Sequence, residues 1–441
     1  MRIRIYTSAL LLFTGVMAFS QETYTLQDCI KRGLENNFQV QIQQERQTIS
    51  DNNATIGNAG YLPKLDLNGG YNGQLNNSRV TDIDGVTGDF NDESSHSANA
   101  GLNMSWTLFD GLKIQATYEK LKELRSVGQL NTRITLENTA ADISSAYYQL
   151  IRQKIRLKNL KAALALSKER LRIVEERYHL GSASRLELQQ ARVDYNADNT
   201  RYLKQTESVY QYIVLLNELM ANPEIQNNLC IADESILLIP LADKETLWER
   251  TLQSNLSLLA LDKEKKLSEE DLRIAQSRNY PYLKLNAGYG YTSNWNNSNE
   301  IKQREQLGFN YGATIGVTLF DGLNRRREQR NAKAQIRISE LQKQSFELAL
   351  KADMSNLWVA YKNNLQLLDL ESQNVETAKE YLEIAMDRYK LGDLSGIELR
   401  EAQNSLLAAE ERFSTAEFET KLCEISLMQL SGDLLGFLLK D

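Results

Sequence analysis

Few side chains in this sequence are spaced for chemistry. Glu398 and Glu401 stand three apart, on neighbouring positions of one helical face. Repeated around a symmetry axis, such a pair would line a ring of carboxylates that favours cations and repels anions. The plainer reading is solvated helix surface. His96 and His179 are isolated in sequence, and Cys29, Cys230 and Cys423 are far apart, so no metal-binding spacing emerges and no cofactor is implied. The three cysteines read as small core hydrophobes. Glycines 69, 70 and 73, in "GGYNG", loosely suggest a phosphate loop, but no helix pattern follows, which favours a strand with small residues on one face. Arg325, Arg326 and Arg327 are either placed against lipid phosphates or a plain charged helix start. No nucleophile, base and orienting group cluster, so the expectation is a protein that does no catalysis.

The elements that would hold these residues are bounded first by composition. Residues 1–20 read as a secretion leader: Arg2 and Arg4, an apolar run over 9–19, and Ala18-Phe19-Ser20 as the cleavage site. No cysteine stands at that site, which argues against a lipid anchor. The formal net charge is −7 and becomes more negative once the two leader arginines are gone, so nucleic acid is not an expected partner. No later apolar run has the length of a transmembrane helix. Any entry into a membrane must therefore be made by strands.

The chain says most things twice. "TLFDGL" occurs at 107–112 and at 318–323. At that offset of 211, Arg177, Tyr178, Leu180 and Gly181 meet Arg388, Tyr389, Leu391 and Gly392, and Ser184, Glu187 and Leu188 meet Ser395, Glu398 and Leu399. Upstream the offset is 218: Leu65, Leu67, Asn68, Gly70 and Tyr71 meet Leu283, Leu285, Asn286, Gly288 and Tyr289, and Asn37 meets Asn255. A repeat this long is a duplicated half-domain. The expected partition is 21–221, a linker or small flank at 222–244, and 245–441. Pro63 and Pro281 precede the alternating segments at matching places, and Pro223 and Pro240 flank the junction.

Four segments, 64–75, 98–108, 283–292 and 309–319, alternate apolar and polar residues, as strands with one oily and one wet face do. They form two hairpins, 64–108 and 282–319. Each strand has about the 9–11 residues a tilted strand needs to cross a bilayer. Aromatic residues cluster toward their ends, including Tyr71, Trp106, Phe109, Tyr291 and Phe320, like an interfacial girdle. A half-buried soluble sheet explains the alternation equally well, but not the repeated Gly and Asn of the wet faces. Four strands cannot close a barrel in lipid, because two bare edges would leave backbone groups unpaired. A membrane sheet must then be shared between chains.

Beyond each joint the period becomes helical. Leu150, Leu157, Leu164, Leu171 and Tyr178 recur every seven residues, matched by Tyr361, Leu368, Val375, Leu382 and Tyr389. No proline interrupts 111–179, a helix of roughly 100 Å at 1.5 Å per residue. Asp110 and Asp321 are placed as N-caps. Returning helices are expected over about 185–221 and 396–431, and preceding ones over 24–59 and 245–279.

Together these features resemble the TolC-type family of outer-membrane efflux and secretion channels, over nearly the whole mature chain. The resemblance rests on the duplication, the two hairpins, the "TLFDG" joints and the "RYxLGxxSxxEL" turns at 177–188 and 388–399. It implies an α+β membrane protein. Three chains share a twelve-stranded β-barrel in the outer membrane, continued by a long periplasmic α-helical barrel. It also implies a homotrimer in contact with outer-membrane lipid, a periplasmic adaptor and an inner-membrane pump. The docking turns then fall on Leu180, Gly181, Ser182, Ala183 and Ser184, and on Leu391, Gly392, Asp393, Leu394 and Ser395. The constriction ring falls on Glu398 and Glu401, and a tyrosine–acid contact at the entrance on Tyr389 and Glu187. The family's arginine in the second turn is Leu394 here, so that lock is absent or built differently. The expected function is a passive exit duct of a tripartite efflux or type I secretion system. The alternative is a secreted coiled-coil scaffold or adhesin with a soluble sheet.

Overall fold

The structure, a computed structural model, describes residues 23–297 and 301–439, so the leader assigned to residues 1–20 lies outside the described residues. The described residues begin with β1 (Thr23–Tyr24), α1 (Leu26–Asn36), α2 (Phe38–Asn53) and α3 (Ile56–Ala59). A hairpin of β2 (Lys64–Thr81) and β3 (Thr87–Phe109) follows, then α4 (Lys113–His179) and α5 (Arg185–Leu219). After β4 (Cys230–Ile231) the series recurs: α6 (Lys244–Ser254), α7 (Leu256–Ser277), β5 (Tyr282–Asn296), β6 (Gln303–Gly316), α8 (Asn324–Leu391) and α9 (Gly396–Leu430), with α10 (Leu434–Leu438) at the end.

The four long strands make one antiparallel sheet in the order β2-β3-β5-β6. Its odd-numbered face in β2, with Leu65, Leu67, Tyr71 and Leu75, is exposed, as are Phe309, Tyr311 and Ile315 of β6. The other face is polar, mostly Asn, Gly, Ser and Thr with Lys64, Asp66, Gln74 and Lys284 among them, as the period-two pattern requires. The first hairpin is longer than its alternating segments suggest. Past a bulge at Asn76–Ser78 its strands stay paired to Thr81↔Thr87, while pairing with β5 stops at Ser95↔Asn296. A two-stranded ribbon therefore projects beyond the sheet, tied by Ser78 to Glu93 (2.5 Å) and by an Arg79–Asp89 ion pair.

The joints differ in detail from the N-cap expected at each aspartate. Gly111 and Leu112 both take left-handed backbone (φ 72° and 73°), and so do Gly322 and Leu323 (φ 68° and 64°). The cap positions are Leu112 and Leu323, neither with a side-chain cap. The aspartates act from two residues further back: Asp110 accepts from Ile114 N at 3.1 Å and Asp321 from Arg325 N at 3.0 Å. Glycine is needed at 111 for a second reason, since a Cβ there would lie 2.2 Å from Ser277 O. Arg325 is not free for lipid: it ion-pairs with Asp321 and donates to Leu319 O at 3.1 Å and Arg278 O at 3.3 Å, so it fastens the second joint.

The helices expected as single pieces over 24–59 and 245–279 are interrupted at Asn37 and Asn255. Each Asn leaves helical backbone, caps the next helix through its carbonyl oxygen, and donates its amide to a carbonyl of the returning helix. The partners are Leu219 O (2.9 Å) and Leu430 O (3.0 Å). One side chain thus satisfies groups that a helix break leaves open on two elements.

Near the sheet the helices lie in the order α2-α4-α7-α8, and toward the far end in the order α5-α4-α9-α8. α4 and α8 have 67 and 68 residues, so each spans about 100 Å. The main core sits midway, around Tyr147, Leu150, Leu216 and Leu427, where α1, α4, α5 and α9 meet. The parallel pair β1–β4 and the 222–243 segment lie against it. Cys29 and Cys423 are buried there as free thiols, and Cys230 is half-buried. Lys421 and Glu424 form a buried pair at 2.8 Å, and Glu424 also accepts from Ile239 N at 3.1 Å, which pins the linking segment to α9. Among the described residues no helix is long and apolar enough to cross a membrane.

Candidate functional site

The sequence points to the two turns at the far tip, and the structure explains their shared motif by local chemistry. Gly181 and Gly392 take the left-handed backbone (φ 77° and 86°) that ends α4 and α8. Ser182 N and Asp393 N then reach back to Arg177 O and Arg388 O, at 2.8 and 2.9 Å. Three residues on, Ser184 and Ser395 cap α5 and α9, and each cap is reciprocal. Glu187 N donates to Ser184 Oγ at 3.2 Å while Glu187 accepts from Ser184 N at 2.9 Å. Glu398 N donates to Ser395 Oγ at 3.3 Å and Glu398 accepts from Ser395 N at 2.9 Å. "LGxxSxxE" is thus a helix stop followed by a capping box.

This sets the geometry of the predicted site residues. Hydrogen bonds from Ser395 hold the Glu398 carboxyl below the usual carboxylate range, so it is charged at neutral pH. Glu401 is exposed one turn along the same face. Tyr389 is buried, and burial raises its phenol. The Arg177 guanidinium lies 5.3 Å from its ring centroid and donates to Tyr389 O at 3.1 Å. Among the described residues no hydrogen bond joins Tyr389 to Glu187, although the two are close enough for the acid's charge to act on the phenol. Leu180, Leu186, Leu391 and Ile397 stand exposed at the tip, at equivalent places in the two repeats.

Just above the turns lies a cluster that the spacing of residues in the sequence does not pick out. Asp198 on α5 is only 1% exposed. It accepts from both terminal nitrogens of Arg400 on α9 (2.5 and 2.9 Å), from Ser167 on α4, and from Gln403 at 3.3 Å. Gln403 also donates to Ala163 O at 3.0 Å, and Arg170 pairs with Asp194 alongside. Burial opposes the Asp198 charge, but the bonds from Arg400 and Ser167 and the charges of Arg400 and Arg201 outweigh it and hold the carboxyl low. The cluster clamps three helices together. Four of its members stand at buried positions of their helices, and only a polar residue breaking an apolar stripe could have signalled it. The heptad of Leu157, Leu164 and Leu171 is only half-buried, while Leu160, Ala163, Ser167, Arg170 and Val174 form the buried stripe. α4 lies between α5 and α9, so it needs two contact faces where a simple heptad supplies one.

Among the described residues no group of His, Cys, Asp or Glu is arranged to hold a metal ion. His96 instead makes a 2.8 Å hydrogen bond to Tyr71 across the first hairpin.

A family model described as outer membrane efflux protein matches residues 29–222 and 247–433. The outer membrane protein TolC of Vibrio cholerae serotype O1 is 23% identical over 388 residues, covering 86% of this chain and 84% of its own. Nodulation protein T of Rhizobium leguminosarum bv. trifolii is 21% identical over 397 residues, covering 88% and 81%. Among solved structures, the CmeC outer membrane channel of Campylobacter jejuni superposes with a TM-score of 0.76 at 17% identity, over 98% of this chain and 94% of that one. A membrane protein from Pseudomonas aeruginosa superposes at 0.77 and 15% identity, over 92% and 93%. At these identities the superpositions speak for the fold.

Proposed function

The chain belongs to the outer membrane efflux protein family, and we propose that three copies of it form the exit duct of a tripartite efflux or type I secretion machine. It is an outer-membrane protein with a long periplasmic extension, and its sheet is the membrane part. The observation that carries the reading is a double lack of closure. β2 and β6 are bare edges of the sheet, and α2 and α8 are the outer members of the helical layer beneath it. An open sheet edge in hydrocarbon leaves its outward backbone groups unpaired, at several kcal/mol each. Copies of the same chain remove both defects together. The strands run alternately, so β6 of one copy meets β2 of the next antiparallel, as every pair within the sheet already does. Three copies give twelve strands and an interior lined mostly by Asn, Gly, Ser and Thr, with Lys64, Asp66 and Lys284 among them, wide enough to hold water.

The chain supplies a conduit, and the energy for transport comes from an inner-membrane pump. A periplasmic adaptor docks on the two turns, at Leu180, Gly181, Ser182, Ala183 and Ser184 and at Leu391, Gly392, Asp393, Leu394 and Ser395. The exposed apolar residues Leu180 and Leu391 give it surface to bury. Glu398 and Glu401 narrow the entrance as a cation-favouring ring, with Tyr389 and Glu187 beside it. Purified protein in a planar lipid bilayer should conduct ions and prefer cations. Glu398→Gln with Glu401→Gln should reduce that preference without abolishing conductance. A protein that inserts but never conducts would defeat the duct, and unchanged selectivity would remove the ring.

A further inference from the structure

Resting on the reading that the sheet is the membrane part, we infer that Arg326, Arg330 and Lys333 of α8 bind the phosphate headgroup of an anionic glycerophospholipid in the periplasm-facing leaflet. The three stand at i, i+4 and i+7, a basic stripe along one face at the top of the helix. All three are exposed, and among the described residues none has an ion pair. Arg330 Nε donates to Arg326 O at 3.4 Å, which lays its stem along the helix. The nearby acids are already taken. Glu328 pairs with Arg278, Asp321 with Arg325, and Glu340 with Arg337 and Lys265. The first repeat carries no such stripe. Gln115, Glu119 and Lys122 hold the equivalent places, and there Lys122 pairs with Glu119 at 2.6 Å. The excess positive charge therefore belongs to the second joint alone, in a chain whose formal net charge is −7. Arg327, about 100° further round the helix than Arg326, lies off the stripe.

The handedness of the chain decides which way the stripe points. A Cβ added to Gly101 would lie 3.2 Å from the Gly290 Cα. So close an approach marks a non-hydrogen-bonded pair, and the adjoining pair Leu102↔Tyr289 is therefore hydrogen-bonded. In an ascending strand of L-residues, a side chain aimed at the viewer sends its own N–H and C=O to the viewer's right. Tyr289 faces outward on β5, which ascends from α7. Seen from outside, β3 then lies to the right of β5, and through the joints α7 lies to the right of α8. α8 descends, and it meets α7 through Arg325, Gln329 and Ser339. A right-handed helix viewed from the membrane turns clockwise as it recedes, so the stripe lies roughly 80° to 140° past that contact line. That is the outer surface, not the lumen.

The level also suits a headgroup. Leu319, Phe320 and Leu323 are 88%, 77% and 55% exposed, and this apolar band ends three residues before Arg326. Trp106, Phe109, Tyr280 and Tyr282 stand at the same end of the sheet, as an interfacial girdle does. The stripe is about 10 Å long at 1.5 Å per residue. The headgroup region is roughly 5–8 Å deep on each side of the hydrocarbon. Arg326 and Arg330 lie within that depth, and the Lys333 stem reaches up to it. Guanidinium groups present forked donors that match phosphate oxygens. Three uncompensated cations favour a headgroup of net negative charge over a zwitterionic one, whose ammonium they repel.

Native mass spectrometry of the mature protein, extracted from outer membranes in detergent, tests this with phosphatidylglycerol and phosphatidylethanolamine of the same acyl chains. The wild-type protein should retain phosphatidylglycerol in preference. Each cation near the surface contributes about fivefold, so Arg326→Gln, Arg330→Gln and Lys333→Gln together should weaken retention on the order of 100-fold at unchanged assembly mass. Removing the same charge far from the sheet, by Lys158→Gln, Lys161→Gln and Lys168→Gln at exposed places on α4, should leave retention as it was. Equal retention of the two lipids by the wild type, full retention in the first triple variant, or equal losses in both triple variants overturns the site. A first variant that falls apart into single chains assigns the cations to the neighbouring copy and overturns it as well. Release of the lipid by inorganic phosphate, beyond the release by sodium chloride at equal ionic strength, assigns them to the free anion instead. Wild-type protein that stays soluble without detergent and binds neither lipid removes the membrane sheet on which the site rests.

Discussion

Replacing Arg400 with methionine should loosen the tip far more than a surface charge change would. Methionine keeps the apolar stem and removes the two hydrogen bonds at 2.5 and 2.9 Å to Asp198, a carboxylate 1% exposed. Stripping one partner from a buried pair costs about 3–5 kcal/mol. Ser167, Gln403 and the half-exposed Arg201, at 3.5 Å, still face Asp198, which puts the cost near the lower end, about 3 kcal/mol. At about 1.4 kcal/mol per decade, local opening rises on the order of 100-fold. Hydrogen exchange followed by mass spectrometry reads this directly, in peptides covering 188–201 of α5 and 399–409 of α9. Adding Asp198→Asn to the same chain removes the stranded charge, so the double variant should exchange more slowly than Arg400→Met alone. Exchange changed by less than about threefold, or an Asp198→Asn effect that adds to the first, would refute the clamp.

Acid should open the same clamp. Asp198 sits below its ordinary range, so its contribution is present above the unfolded carboxylate value of about 3.9 and is lost as pH falls through the lower folded value. Tip exchange that accelerates already between pH 7 and pH 5 would argue against this. Glu417 has the opposite sign: burial pushes its carboxyl up to about 7, so folding loses stability as pH rises through that value. Glu417→Gln should raise the melting temperature more at pH 8 than at pH 5, and an equal gain at both would contradict the burial. Gly111→Ala should impair folding of the chain, since left-handed backbone with a Cβ costs about 1–2 kcal/mol and the Cβ also strikes Ser277 O. Gly322→Ala has the same backbone but open space within the chain, so it should fold and then assemble poorly. Folded-chain and assembled-band yields on a mild-detergent gel separate the two.

The sheet and joints were legible in the sequence because strand sides alternate strictly and because both hairpins carry the same words. The long helices were legible from length and the absence of proline. The breaks at Asn37 and Asn255 were not, since asparagine inside a helical pattern is tolerated. The signal was its recurrence at matched places, and its meaning needed the carbonyls of Leu219 and Leu430. The Asp198 clamp draws on residues more than 200 apart in sequence, with nothing in their spacing to join them. At the turns, the shared Ser and Glu are explained by local structure, because Glu187 and Glu398 complete the capping boxes that start α5 and α9.

The size of the assembly tests the central claim most directly: this chain cannot close its own sheet or its own helical layer. Native mass spectrometry of the mature protein, extracted from the outer-membrane fraction in detergent, should give the mass of three chains and no stable single chain. A monodisperse single chain that stays soluble without detergent and keeps its strand content would contradict it.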